Sequence, residues 1–207
     1  MQTQIKTGYN RERTIQLSKA NYLTKTAILS AIAYIVMLFE MPLPFAPSFL
    51  KMDFSDIPAL IGAFAMGPLA GVLIELVKNI LKVMTSTRTF GVGELGNFLV
   101  GASFVFTAGI IYRTKKDKKT ALIACLSATI VMTAVAMGFN NFILIPALSK
   151  VMPIDSIIAM GSAVTGKIHD VPTLVLYGIT PFNLFKGIVI SIATMLLYNG
   201  VKPLLKV

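Results

Sequence analysis

Ala108-Gly109-Ile110-Ile111-Tyr112-Arg113-Thr114-Lys115-Lys116-Asp117-Lys118-Lys119-Thr120-Ala121-Leu122-Ile123 decides how this chain is read. Arg113, Lys115, Lys116, Lys118 and Lys119 stand against Asp117 alone, between two apolar runs of about bilayer length. The same imbalance marks the N-terminal arm, with Lys6, Arg11, Arg13, Lys19 and Lys25, and the tail, with Lys202 and Lys206. These three segments hold 12 of the 19 basic residues and only Glu12 and Asp117 of the 9 acidic ones. The other 7 basic and 7 acidic residues cancel, so the net charge of +10 lies on one side of a bilayer. The positive-inside rule makes that side the cytoplasm and puts both termini there.

Composition agrees. Of 207 residues, 55% are hydrophobic and 14% charged, and the mean hydropathy is +0.76, outside the usual soluble range. A basic excess can mark nucleic-acid binding. Here the basic residues flank apolar spans, so a membrane surface accounts for them and no nucleic-acid partner is expected. Cys125 is single, which rules out an internal disulfide framework. The first apolar run follows some twenty polar residues and is long enough to span, so no cleavable leader is expected.

The spacing of apolar runs predicts an all-α integral membrane protein with six crossings. Residues 1–21 form a cytoplasmic arm and residues 22–207 a single membrane domain. The first span covers about 22–39 and stops at Pro42, Pro44 and Pro47, which cannot continue a helix. Residues 41–52 are therefore an ordered outer loop. Asp53-Phe54-Ser55-Asp56 starts a second span that breaks at Gly67-Pro68. Further spans are expected over about 69–84, 94–112, 120–145 and 179–197. Between the last two, residues 154–164 are apolar but too short to cross, and read as a surface or re-entrant helix on the outer side.

Two motifs invite a catalytic reading and fail it. Gly161 to Ile168 nearly spells a phosphate-binding loop, but Ile168 cannot supply the hydroxyl that magnesium requires. Gly91-Val92-Gly93-Glu94-Leu95-Gly96 matches the dinucleotide fingerprint yet opens a membrane helix rather than a βαβ unit. His169 has no second His or Cys nearby, so no metal is expected. No catalytic residues are assigned.

Polar residues inside membrane spans are costly and need a reason. Glu75 and Lys78 are three apart and can pair. Asn183 and Lys186 share that spacing but cannot neutralise each other. With Asn141 they suit a neutral, amide-rich small molecule, although Asn as interhelical glue and a snorkelling Lys186 remain the alternative. Phe45, Phe49, Phe54, Phe182 and Phe185 supply apolar surface at the same outer ends. In the first span Ala27 and Ala31 lie one turn apart, a spacing that admits another helix but is also common by chance.

At these residues the chain resembles a family. Leu43-Pro44-Phe45, Phe49 to Leu60 (with Asp53-Phe54-Ser55-Asp56), Gly67-Pro68, Glu75 to Asn79, Gly93-Glu94-Leu95 and Pro181 to Lys186 follow the order of the riboflavin-binding S components of energy-coupling factor (ECF) transporters. The resemblance implies a six-helix bundle of the ECF S-component kind that binds vitamin at its outer face beneath a gating first loop. It implies ligand contacts at Asn141, with Asn140 the register alternative, and at Asn183 and Lys186, with Phe45 and Glu94 from the matched segments. It also implies docking through Ala27 and Ala31 onto a membrane coupling subunit driven by two ABC-type ATPases.

The expected function is high-affinity riboflavin capture in the cell membrane of a prokaryote, with riboflavin as transported ligand and no cofactor. Two alternatives stand beside it: a stand-alone secondary transporter of a small neutral molecule, and an S component for another vitamin. An enzyme acting on lipid would need a catalytic set that the chain lacks.

Overall fold

The computed structural model describes residues 2–87 and 91–205. Helix α1, Gln2–Met37, runs unbroken from the polar arm into the first apolar run. The proline-rich segment then folds back as a short antiparallel pair, β1 (Met41–Pro42) and β2 (Lys51–Met52), with Met41 opposite Met52 and Pro42 opposite Lys51. Helices α2 (Asp56–Met66) and α3 (Pro68–Ser86) meet at Gly67, whose φ of +105° suits glycine, and Pro68 opens α3, where a missing N–H costs nothing. Next come α4, Val92–Tyr112, and α5, Lys118–Phe139, capped by the Asp117 side chain on the Thr120 amide.

Near its C-terminal end α5 widens into a π turn, Asn140–Leu144, and continues as α6, Ile145–Leu148. Helix α7, Ile154–Ser162, occupies the short apolar stretch. The last helix begins with α8, Val171–Leu174, passes through a second π turn, Val175–Ile179, and continues as α9, Thr180–Leu205. It therefore starts about eight residues before the predicted Ile179, because the polar positions around His169 and Asp170 cap a helix that the hydropathy pattern alone does not extend.

Four helical stretches among the described residues are long and apolar enough to cross a membrane: Lys19–Met37, Val92–Tyr112, Lys118–Leu148 and Val171–Tyr198. The predicted second and third spans differ from these for physical reasons. Helix α2 has 11 residues, about 17 Å of rise against a hydrocarbon core of about 30 Å. Helix α3 is long enough but carries Glu75, Lys78 and Lys82.

The main core joins α2, α3, α4, α5 and α9 around Leu60, Phe64, Ile74, Phe104, Tyr112 and Met132. Small residues let these helices close up. Gly101 is the tightest case bearing on the site, since a Cβ there would overlap Glu75 Oε2. At the opposite end Tyr112 and Tyr198 share a hydroxyl hydrogen bond of 2.9 Å. A second core of Ala136, Ile145, Ile157, Ile168, Leu174 and Ile179 seats α7 on the junctions of α5–α6 and α8–α9. Ile168, the residue that spoils the phosphate-loop motif, is one of its buried members.

Candidate ligand-binding site

A cavity of about 360 Å³ opens beside the hairpin, within the range of small-molecule sites. Its apolar wall comes from Met37, Phe49, Leu50, Val100, Phe139, Leu144 and Phe182. Asn140, Asn183, Lys186, Glu94, Asn97 and Asp53 add polar groups, and Glu40, Lys51 and Lys82 stand around them. The π turn at 140–144 and the helix following the π turn at 175–179 carry the two buried asparagines, in keeping with the frequent placement of such wide turns at functional sites.

Each asparagine is anchored through one amide hydrogen. Asn140 Nδ2 donates to the Ala136 carbonyl at 2.7 Å and Asn183 Nδ2 to the Ile179 carbonyl at 2.8 Å. The Asn140 Oδ1 atom is buried with no protein partner. It is an acceptor in a low-dielectric wall, where a ligand N–H would gain most.

Lys186 is not a lone cation. Its Nζ lies 3.1 Å from Asp56 Oδ2 and 3.4 Å from Asp53 Oδ2. Asp53 and Asp56, read from the sequence as acids of a helix start, instead face lysines, while Asp53 Oδ1 also accepts the Ser55 amide at 2.8 Å. Asp56 further pairs with Lys78, whose Nζ also reaches Ser55 Oγ at 2.7 Å and Glu75 Oε1 at 2.8 Å. The predicted Glu75–Lys78 pair is thus one edge of a buried network. That network joins α3 and α9 to the segment leading from the hairpin into α2. Buried charges persist only when paired in this way.

The other predicted residues fall as follows. Glu94 lines the cavity and accepts from Thr87 Oγ1 at 3.1 Å. Asn141 does not line it, and its neighbour Asn140 does. The small residues Ala124, Ala128 and Ala136 of α5 form a buried face with Met132, and four residues beyond Ala136 that face reaches Asn140. Sequence spacing carried that signal. Phe45 also lies outside the lining; its ring meets Phe185 edge-on, centroids 5.0 Å apart. Ala27 and Ala31 are exposed on α1, on a flank shared with Leu23, Ile28 and Ile35. Sequence reasoning missed Asn97, which donates to Asn79 Oδ1 at 3.2 Å, and the clamp of Lys51 and Lys82 on Glu40. Glu40 and Lys51 meet across the hairpin, the other pairs join separate segments, and no local pattern announces them.

The description "ECF transporter, substrate-specific component" belongs to the family model that matches residues 21–198. The riboflavin transporter RibU of Staphylococcus aureus (strain TCH60) is 38% identical over 197 residues, covering 95% of this chain and 98% of its own. The riboflavin transporter FmnP of Bacillus subtilis (strain 168) is 33% identical over 189 residues, covering 89% and 94%. A solved structure of the S component of a bacterial ECF transporter superposes with a TM-score of 0.72 at 38% identity, covering 91% of this chain and 99% of that one. The helical bundle, its membrane-length helices and these matches lead to one conclusion: this chain belongs to the substrate-specific (S) components of ECF transporters.

Proposed function

We propose that this chain captures riboflavin at the outer face of the cell membrane and hands it to an ATP-driven ECF transporter. The observation that carries the reading is the convergence of Asn140, Asn183 and Lys186 on one cavity whose remaining wall is largely apolar. A flavin presents a flat apolar ring system and a uracil-like edge. Asn140 Oδ1 can accept from that edge, and the Lys186 ammonium can donate to a carbonyl or a ribityl hydroxyl. Asn140 takes the role that the resemblance gave to Asn141, Glu94 offers a further acceptor, and Phe45 with Phe185 steadies the hairpin beside the opening. The chemistry is binding, as suits a family of transporter components rather than enzymes.

In this reading α3 crosses as well, and so does α2, giving six passages with both termini in the cytoplasm. Helix α2 is too short to span lipid alone but lies inside the bundle, with Pro58 to Phe64 buried by its neighbours. Helix α3 tolerates the bilayer because Glu75 and Lys78 are buried against partners rather than facing lipid. The exposed Ala27 and Ala31 form the docking stripe for a membrane coupling subunit, itself driven by two ABC-type ATPases. The test is purification in mild detergent followed by an absorption spectrum and a riboflavin titration. One flavin per chain, or saturable quenching of flavin fluorescence at that stoichiometry, is expected. A colourless protein that leaves riboflavin fluorescence unquenched refutes the ligand.

A further inference from the structure

A second cavity, of about 210 Å³, opens between α5 and α9 and shares no residue with the one beside the hairpin. Lys118, Leu122 and Leu126, four apart, form its α5 wall. Ile188, Ile192 and Leu196, spaced likewise, form the α9 wall. The two helices touch at Gly187, where a Cβ would overlap the Thr129 side chain, and the groove opens just beyond that contact. Eight residues of helix make it about 12 Å long, most of the roughly 15 Å depth of one hydrocarbon leaflet. Leu122, Leu126, Ile188 and Ile192 are each about half exposed along it. Ser191 lies buried at its floor, with Oγ already donating to the Gly187 carbonyl at 2.6 Å.

The mouth of the groove lies at the basic end of both helices. Lys118 is exposed at the first turn of α5, and Lys202 follows Leu196 along α9. Among the described residues no carboxylate pairs with Lys118. The acid of its own segment, Asp117, turns into the helix cap and accepts the Thr120 amide at 2.7 Å. An apolar slot of leaflet depth thus ends under an unmatched ammonium, where the chain leaves the bilayer. An anionic phospholipid carries both complements, an acyl chain for the slot and phosphate oxygens for the Lys118 Nζ. A partner helix fits less well, because close helix packing asks for small residues. Only Ser191 is small among the described lining residues.

We propose that the α5–α9 groove binds an anionic glycerophospholipid of the leaflet facing residues 113–119, with an acyl chain between Leu122 and Ile192 and the phosphate on Lys118. The site is separate from the flavin cavity and does not depend on the riboflavin reading. One lysine matched to one anionic headgroup near the membrane surface favours that lipid over a zwitterionic one about fivefold.

The chain contains no tryptophan, so an introduced indole reports on its own surroundings. Leu122→Trp and Leu126→Trp place it in the groove. Ile110→Trp places it on α4, outside the groove but three residues from Arg113, where it senses lipid drawn to the basic segment in general. Each variant is reconstituted in mixtures of phosphatidylglycerol and phosphatidylcholine, one of the two brominated on its acyl chains, and quenching gives the local lipid ratio. Phosphatidylglycerol should be enriched about fivefold at the groove reporters and less than about twofold at Ile110→Trp. Adding Lys118→Gln should bring the groove value down to that of Ile110→Trp. Lys116→Gln removes an equal charge from the same segment without touching the groove, and should leave the enrichment in place. The enrichment should also shrink at about 0.5 M salt. Equal enrichment at groove and reference, or a groove value unmoved by Lys118→Gln, means boundary lipid only and overturns the proposal. Two groove reporters keep the test decisive where one indole fills the slot or disturbs folding. A riboflavin titration of the same samples reads the flavin proposal separately.

Discussion

Asn140→Ala and Asn141→Ala form a paired test in which one residue of register decides the outcome. Asn140 lines the cavity with a buried Oδ1 that has no protein partner. Its Nδ2 bond to the Ala136 carbonyl duplicates one that the backbone amide of residue 140 already makes. Truncation to alanine therefore leaves the Ala136 carbonyl satisfied and removes an acceptor nothing in the protein uses. The melting temperature of the ligand-free protein should change little. Affinity should not escape so lightly, since a flavin N–H deprived of its acceptor in a closed site costs about 1–3 kcal/mol, or about 5- to 150-fold in Kd. Asn141→Ala should leave both quantities near wild type. Fluorescence titration gives Kd, and thermal unfolding in the same detergent gives stability. Loss of riboflavin affinity in Asn141→Ala with none in Asn140→Ala would refute the assignment of the α5 face and the site built on it.

Three further outcomes are expected. Gly101→Ala puts a methyl group on Glu75 Oε2, whose carboxylate is held through Oε1 by Lys78, so overpacking should cost about 1–3 kcal/mol and lower the melting temperature; an unchanged value would mean that Glu75 yields freely. Ala27→Trp on the exposed flank of α1 should spare riboflavin binding by the isolated chain and abolish uptake by the assembled transporter, and surviving uptake would put docking elsewhere. Hydrogen bonds from Thr120 hold the Asp117 carboxyl below its ordinary value of 3.8. The folded pKa is the lower one, so this cap contributes fully above the ordinary value and is lost as pH falls through the depressed one. Asp117→Ala should thus melt lower than wild type at neutral pH, with the gap closing in acid; a gap independent of pH would contradict the cap.

Much of this architecture is legible in the residues. The basic cluster at 113–119 separates α4 from α5, the prolines at 42, 44 and 47 stop the first helix, and the i, i+3 spacing of Asn183 and Lys186 puts both on the cavity side of α9. Local patterns report local structure. The counter-charges of Lys186 sit in a loop and a helix start more than 120 residues away, and nothing near them in sequence names the partner. Asp53 and Asp56 satisfy the rule for a helix N-terminus equally well, which concealed their second role. Asn140 lay within reach, because the alanine face of α5 leads to it, whereas the choice of Asn141 rests on amide chemistry and family likeness and does not follow the helical phase. The early start of the last helix stayed hidden because a π turn breaks the periodicity that would have extended it upstream.

The two π turns have a mechanical consequence. Each gives its helix one residue more than regular winding needs, at the level where the segment around α7 meets the bundle. Removing a single residue from Val175–Ile179 would let ordinary winding close the gap and leave everything upstream in nearly its present phase relative to Asn183 and Lys186, because the wide turn takes up its extra residue locally. The segment around α7 and the ligand-facing stretch of α9 therefore keep their relative phase whether or not the extra residue is present. Each wide turn is slack in the helix wall, a place that can gain or lose one residue without turning what lies on either side.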